Sequence, residues 1–292
     1  MIAKTIVIRK GDVSATIVPA LGGGLARFDF GGHAVFRPWP REGSNDPFAL
    51  ACNLLVPWSN RISGGGFHVD GVFHALEPNL PGEPYPIHGN GFQSEWVVSA
   101  TAPDSVNLTL ESDGPGPYRY AGAVRYLVTG RSLEIILSIV NKAPFALPYG
   151  LGLHPWLPRT AGTVLNAPAT GVYLETTDHL PSNFCPLGDN SNWDFRQPSP
   201  LPKGWINNVF AGWTGQARIF WPENNIALQI DASRLLEFYL LYSPSEDSEF
   251  FCFEPVSHSV DAHNSGSSRL RNGLSWVDFG EEIKAHCSFA VT

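Results

Sequence analysis

Two side chains suited to proton exchange, a histidine and a glutamate one hundred positions apart, stand inside apolar, strand-like segments. His154 lies in YGLGLHPW, residues 149 to 156. Read as a strand, this segment puts Gly150, Gly152 and His154 on one face and Tyr149, Leu151 and Leu153 on the other. Glycines inside a strand often mark close approach of a ligand, so they would clear a floor beside the imidazole. Pro155 is expected to end regular pairing, and Trp156 to supply an aromatic wall. A packed core histidine beside a glycine bend is the other reading. Glu254 closes the run EFFCFE, where Phe250, Cys252 and Glu254 alternate with Phe251 and Phe253. A carboxylate in such company is costly unless it is paired, protonated or at an open strand end. Its place before Pro255 predicts a strand exit, and a structural salt bridge is the alternative.

Two further segments carry candidate binding groups. In PWSNRISGGGF, residues 57 to 67, Asn60 and Arg61 follow an apolar run. The guanidinium there can fork onto two hydroxyls or a carboxylate, or be an ordinary surface arginine. In EPYPIHGNGF, residues 83 to 92, His88 sits in a proline- and glycine-rich loop, the usual place for functional side chains on a β scaffold, though a solvent-exposed loop histidine is the simpler reading.

Other chemistries lack their signatures. Glycines 64 to 66 are followed by neither GKS nor GKT, so they are not a phosphate loop. His258 and His263 bracket Asp261, but without HExxH or paired CxxC a zinc site is unsupported. No GxSxG elbow is present, and no GxGxxG opens a βα unit. Cys252 and Cys287 sit in apolar runs, as buried free thiols do. With a net charge of −8 and scattered cations, the chain does not offer a nucleic-acid surface.

The elements that must position these residues read as strands. TIVIRK, VSATIVP, EWVVSATA, SVNLTLES, ARIFWP, IALQIDA, EFYLLYS and KAHCSFAV are short β-branched or aromatic runs. Asp70-Gly71 between two such runs predicts a hairpin. Leu133, Ile135, Leu137 and Ile139 share one face of another strand, which follows a turn near Gly130. Helical periodicity is nearly absent, and 29 glycines with 25 prolines suit many turns. The expectation is an all-β chain, a large antiparallel β-sandwich, forming a single domain over residues 1–292. No eighteen-residue apolar run and no secretion signal are visible, so a cytoplasmic protein without membrane contact is expected.

In order and wording, NLLVPWSNRISGGGF, PIHGNGF, GLGLHPWL and FEPVSHSVDAHN resemble the aldose 1-epimerase (galactose mutarotase) family over residues 53 to 264. The resemblance implies a galactose mutarotase-like β-sandwich with a shallow sugar cleft, acting on a free aldose as monomer or homodimer. It assigns general acid to His154, general base to Glu254, and substrate binding to Arg61 and His88 with Asn60 beside them. A family aspartate that binds sugar hydroxyls falls in KGWINNVFAGW, where this chain has Asn207. Trp156 is the expected aromatic contact.

Mutarotation takes a proton from the C1 hydroxyl and gives one to the ring oxygen, so it needs an acid and a base on opposite sides of the anomeric centre, and no cofactor or metal. A histidine near pKa 6.5 suits that exchange, with His154 cationic as it donates. The alternatives are a hexose-6-phosphate 1-epimerase, which needs a cationic cluster, and a non-catalytic carbohydrate-binding protein. A polysaccharide lyase or hydrolase is a third, for which a second carboxylate is missing.

Overall fold

The structure is a computed structural model and describes residues 3–40, 44, 46–188, 191–265 and 272–292. Among these the strands form two large antiparallel sheets, one of eleven strands and one of nine, with two small two-stranded ladders. Helix is confined to two single 3-10 turns, Pro47–Ala49 and Gly91–Gln93. The all-β sandwich expected from the sequence is therefore observed.

Particular sequence signals explain the pairing. Asp70 and Gly71 both have positive φ, 48° and 81°, and join strands Gly66–Val69 and Val72–Ala75. That is the mirror-image turn whose twist matches a right-handed hairpin. The strand Ser132–Asn141 sits between Tyr120–Val128 and Glu282–Val291, and its Leu133, Ile135, Leu137 and Ile139 are buried in the core. Cys252 and Cys287 are buried free thiols, as read from their surroundings.

The larger sheet positions the site. Its middle strands run in the order Cys52–Leu55, Gly152–Pro158, Phe250–Val256, Phe238–Ser243, Ile206–Ala211 and Gly171–Glu175. Alternation gives every one of them two faces. Leu54, Leu153, Phe253, Tyr239, Phe210 and Val172 point into the main core shared with the nine-stranded sheet. The opposite face carries a smaller apolar cluster that includes Leu55, Val256, Leu240, Val209 and Ala211. His154, Glu254, Tyr242, Asn207 and Glu175 are in step with that second cluster. One face closes the sandwich and the other is free to carry a site.

Three local expectations need correction. The segment 149–156 is not one strand: Leu147–Tyr149 pairs with Ser275–Val277, and a new strand begins at Gly152. Pro155 ends only the ladder to Cys52–Leu55, because Trp156, Leu157 and Pro158 pair with Cys252, Phe251 and Phe250. Glu254 is likewise not at a strand exit, since its strand continues through Pro255 to Val256.

Candidate active site

His154 and Glu254 reach the same point from adjacent strands, with Nε2 of His154 3.3 Å from Oε1 of Glu254. Both are buried, at 6% and 2% exposure. The far atom of each, His154 Nδ1 and Glu254 Oε2, has no hydrogen-bond partner among the described residues. Orphaned buried polar atoms cost about 1–3 kcal/mol each, so two of them at one contact mark a site rather than a core filler. The expected placement on opposite sides of a substrate atom does not describe this arrangement, since the two groups touch.

Burial governs their protonation. It pushes the His154 imidazole down to about 3, with the Arg37 guanidinium adding to the effect. It drives the Glu254 carboxyl well above the usual carboxylate range, against the pull of Arg61. A histidine near 6.5, as the sequence suggests, is thus not what the fold provides. The contact holds one proton between two groups and, at rest, carries no net charge.

Aromatic stacking fixes the imidazole. Trp156 lies two residues on, on the same strand face, and its ring stacks on His154 at 4.9 Å and 19°. Arg37 covers Trp156, with its Cζ 4.0 Å from the ring centroid, and donates to the carbonyls of Phe48 and Leu50. Phe48 and His88 pack against it as well, with centroids 6.0 and 5.4 Å from His154.

Two loops, 57–62 and 86–91, bring Asn60, Arg61 and His88 over this face. They are joined by bridges between Val56 and Gly89 and between Arg61 and Ile87. Gly89 has φ of 66°, and a Cβ there would sit 2.1 Å from the Val56 carbonyl oxygen, so the crossing requires glycine. The Asn60 backbone N–H donates to His88 Nδ1 at 2.9 Å. The proton of His88 is therefore on Nε2, and burial, aided by His154 and Arg61, holds its pKa well below the ordinary value. Arg61 is engaged bidentately by Glu83, Nε to Oε1 at 2.9 Å and Nη2 to Oε2 at 2.7 Å.

Asn207 projects from the Ile206–Ala211 strand, and its Nδ2 donates to Glu175 Oε1 at 2.5 Å. That bond sets the amide orientation and leaves Oδ1 as the free acceptor, the role an aspartate oxygen would have played. Glu175 also accepts from His179 Nδ1 and Trp205 Nε1.

All seven residues singled out from sequence, Asn60, Arg61, His88, His154, Trp156, Asn207 and Glu254, line one cavity of about 330 Å³. Phe48, Glu83, His179, Trp205 and Tyr242 line it too and were not foreseen. Two of these had a readable signal. Trp205 is two positions before Asn207, and Tyr242 alternates with Leu240 in FYLLYS. Glu83 and Phe48 had none, because loop contacts place them.

The glycine floor is a further correction. A Cβ on Gly150 would lie 2.0 Å from His258 Cδ2, and one on Gly152 would lie 2.9 Å from Val256 Cγ1. The space is filled by protein, not kept for a ligand. His258 in turn accepts from the Ser59 N–H at 3.0 Å, and Asp261 takes the N–H and hydroxyl of Ser63. The VSHSVDAHN segment therefore braces the loop that carries Asn60 and Arg61. Ligand atoms of His154, Cys252 and Glu254 lie within 4.8 Å of one another, a set a cation could use. Burial raises the Cys252 thiol well above its ordinary range, which keeps it in the protonated, non-ligating form.

Among the described residues no helix is long and apolar enough to cross a membrane. A family profile described as aldose 1-epimerase matches residues 4–289. The uncharacterized Escherichia coli K12 protein YphB is 36% identical over 235 residues, covering 78% of this chain and 80% of YphB. A crystal structure from Escherichia coli K12, itself given only a provisional aldose 1-epimerase assignment, superposes with a TM-score of 0.92 at 30% identity, with 99% of both chains covered. A galactose mutarotase-like protein from Clostridium acetobutylicum shares the fold at 17% identity, with a TM-score of 0.88 over 99% of this chain and 95% of that one. With its galactose mutarotase-like sandwich and a profile match over nearly its whole length, this chain belongs to the aldose 1-epimerase family.

Proposed function

We propose that the chain is a mutarotase, interconverting the α and β anomers of a free aldose by opening and reclosing the hemiacetal ring. The observation that carries this reading is the buried His154–Glu254 contact at 3.3 Å, with a single proton to exchange. The two oxygens of a hemiacetal are bonded to one carbon, so the groups that serve them must be neighbours, as these are.

At rest the pair's proton is on Glu254; its transfer to His154 arms the site, and in the opening step Glu254, as carboxylate, takes the C1 hydroxyl proton while His154, as imidazolium, protonates the ring oxygen. The C1–O5 bond breaks and an aldehyde forms, leaving a neutral carboxyl and a neutral imidazole. Rotation about C1–C2 presents the other carbonyl face, and the same transfers run backward. Burial lowers His154 and raises Glu254, so it favours the neutral pair, the form that accompanies the open-chain aldehyde. The desolvated site stabilises the high-energy intermediate relative to the ring forms. His88 offers its Nε2–H, Asn207 its Oδ1 and Arg61 its remaining N–H groups to sugar hydroxyls.

The geometry weighs against a phosphorylated sugar. Arg61 is neutralised by Glu83, and Glu83 and Glu254 both put carboxyl groups in the same cavity. Glucose 6-phosphate should show a KM at least about tenfold above that of glucose, given the cost of bringing a dianion among carboxyl groups. Polarimetry on fresh α-glucose and α-galactose, set against the spontaneous rate, tests the reading. No acceleration of any free aldose, with sugar binding intact, would make the chain a carbohydrate-binding protein instead.

A further inference from the structure

Among the described residues Trp156 and Phe48 line the cavity, and Arg37, which contacts both, is not part of the lining. Its place is set locally. Arg37 precedes Pro38, which favours an extended backbone, and its N–H donates to the Trp156 carbonyl at 2.7 Å. The guanidinium then lies over two rings, 4.0 Å from the Trp156 centroid and 5.0 Å from that of Phe250. Its Nη2 donates to the Phe48 carbonyl at 2.6 Å and to the Leu50 carbonyl at 3.3 Å. We propose that Arg37 is a positioning residue for anomerisation, pinning Trp156 and the Phe48 turn against His154 and setting a fixed positive charge beside that imidazole. The proposal rests on the mutarotase reading.

A planar guanidinium suits both tasks, since its face covers an indole while its edge reaches carbonyls. What it holds is what holds His154. Trp156 stacks on the imidazole at 4.9 Å, and the Phe48 ring meets His154 and His88 at 6.0 and 5.9 Å. The turn is also anchored by Asp46, whose Oδ1 accepts from the Phe48 N–H at 2.9 Å. Without the guanidinium, two rings that set the plane of the imidazole lose a shared anchor.

The charge acts on the same group. Both acceptors are neutral carbonyls, so neither bond cancels it. The two ring contacts put the guanidinium carbon no farther from the imidazole centroid than the sum of 4.0 and 4.9 Å. The other ionisable groups around His154 stand differently. Glu254 holds the pair's proton, burial keeps His88 neutral, and the thiols of Cys52 and Cys252 are held protonated. Arg61 bears on Glu254 and His88, and Asp46 on the guanidinium itself. Arg37 thus opposes an imidazolium at His154, together with burial. An imidazolium formed against that opposition is a stronger acid toward the ring oxygen, the task proposed for it.

Arg37→Met keeps an apolar stem over the rings and removes the charge and the donors, whereas Arg37→Lys keeps the charge and loses the planar fork. Polarimetry on α-glucose or α-galactose gives kcat and KM. NMR of the whole chain labelled with ¹⁵N-histidine gives the pH at which His154 takes up a proton, with no sugar present. In Arg37→Met, kcat should fall about ten- to a hundredfold, the scale of a displaced reacting group, with KM changed less than about threefold. Wild-type His154, at about 3, should stay unprotonated down to about pH 4. In Arg37→Met its proton uptake should begin about one pH unit higher, the order expected for a unit charge at that range. In Arg37→Lys the titration should stay at the wild-type position while kcat still drops. An Arg37→Met protein with wild-type kcat, or one whose His154 titrates where wild type does, overturns the proposal. Should Arg37→Met not fold, Arg37→Gln keeps a donor without the charge and is read the same way. Failure of the mutarotase reading looks different: wild type itself would leave every aldose at its spontaneous rate, and the NMR titration would still decide whether Arg37 sets the charge on His154.

Discussion

Replacing Glu254 by glutamine is the most direct probe of the shared-proton pair. Burial holds the Glu254 carboxyl well above its ordinary range, so the resting side chain is neutral and close in shape to an amide. The Glu254→Gln change should therefore leave the fold intact. The raised folded pKa is the sign check: the protonated carboxyl is fully tolerated at low pH, and its stabilising proton is lost as pH rises through the folded value. The variant should match wild type in urea near pH 4 and equal or exceed it at high pH. Catalysis should fall steeply, because an amide neither accepts the C1 hydroxyl proton nor returns one to His154. A positioned acid–base group contributes about 10²–10⁴-fold, or about 2.7–5.5 kcal/mol of barrier. His154→Asn should cost a similar amount. Since both groups act in one coupled proton exchange on the same hemiacetal, their losses should not multiply. The double variant should be no more than about tenfold slower than the worse single one, whereas independent groups would lose about 10⁴–10⁸-fold together. Polarimetry of α-glucose or α-galactose at enzyme excess gives all three rates. Multiplicative losses, or singles within threefold of wild type, would refute the coupled pair.

Stability should drop on mild acidification. Burial keeps His88, His154, His258 and His263 neutral in the fold, with His154 at about 3, His258 at about 4 and the others well below 6.5. The unfolded chain takes up those protons from about pH 6.5 downward, so each lowered histidine costs stability as pH falls, while the raised Glu254 works the other way. Four lowered histidines outweigh one raised carboxyl, so the urea midpoint should fall between about pH 6.5 and 5.5; a flat urea midpoint would contradict this. In the same range kcat/KM should show no break at 6.5, since His154 titrates near 3. Asn207→Asp sets a second carboxylate against Glu175, replacing a donor with a like charge; KM should rise about tenfold at pH 8 and recover toward pH 5, and a pH-independent KM would argue against that contact. Gly150→Ala drives a methyl into His258 at 2.0 Å, so unfolding free energy should fall by about 1–3 kcal/mol in urea titration, and an unchanged midpoint would show that the loop yields freely.

The β architecture was legible along the chain, because period-two alternation in runs such as Ser132–Asn141 and the Asp70-Gly71 turn are local properties. The sequence also named His154 and Glu254, each conspicuous as an ionisable group in an apolar run. What tertiary structure decided was everything that depends on distance. It put the two groups in contact rather than apart and gave the space beside Gly150 to His258. It locked Arg61 onto Glu83, twenty-two residues away, and brought Glu175 beneath Asn207. It also set their protonation: desolvation depends on what surrounds a group in three dimensions, and no spacing along the chain encodes it.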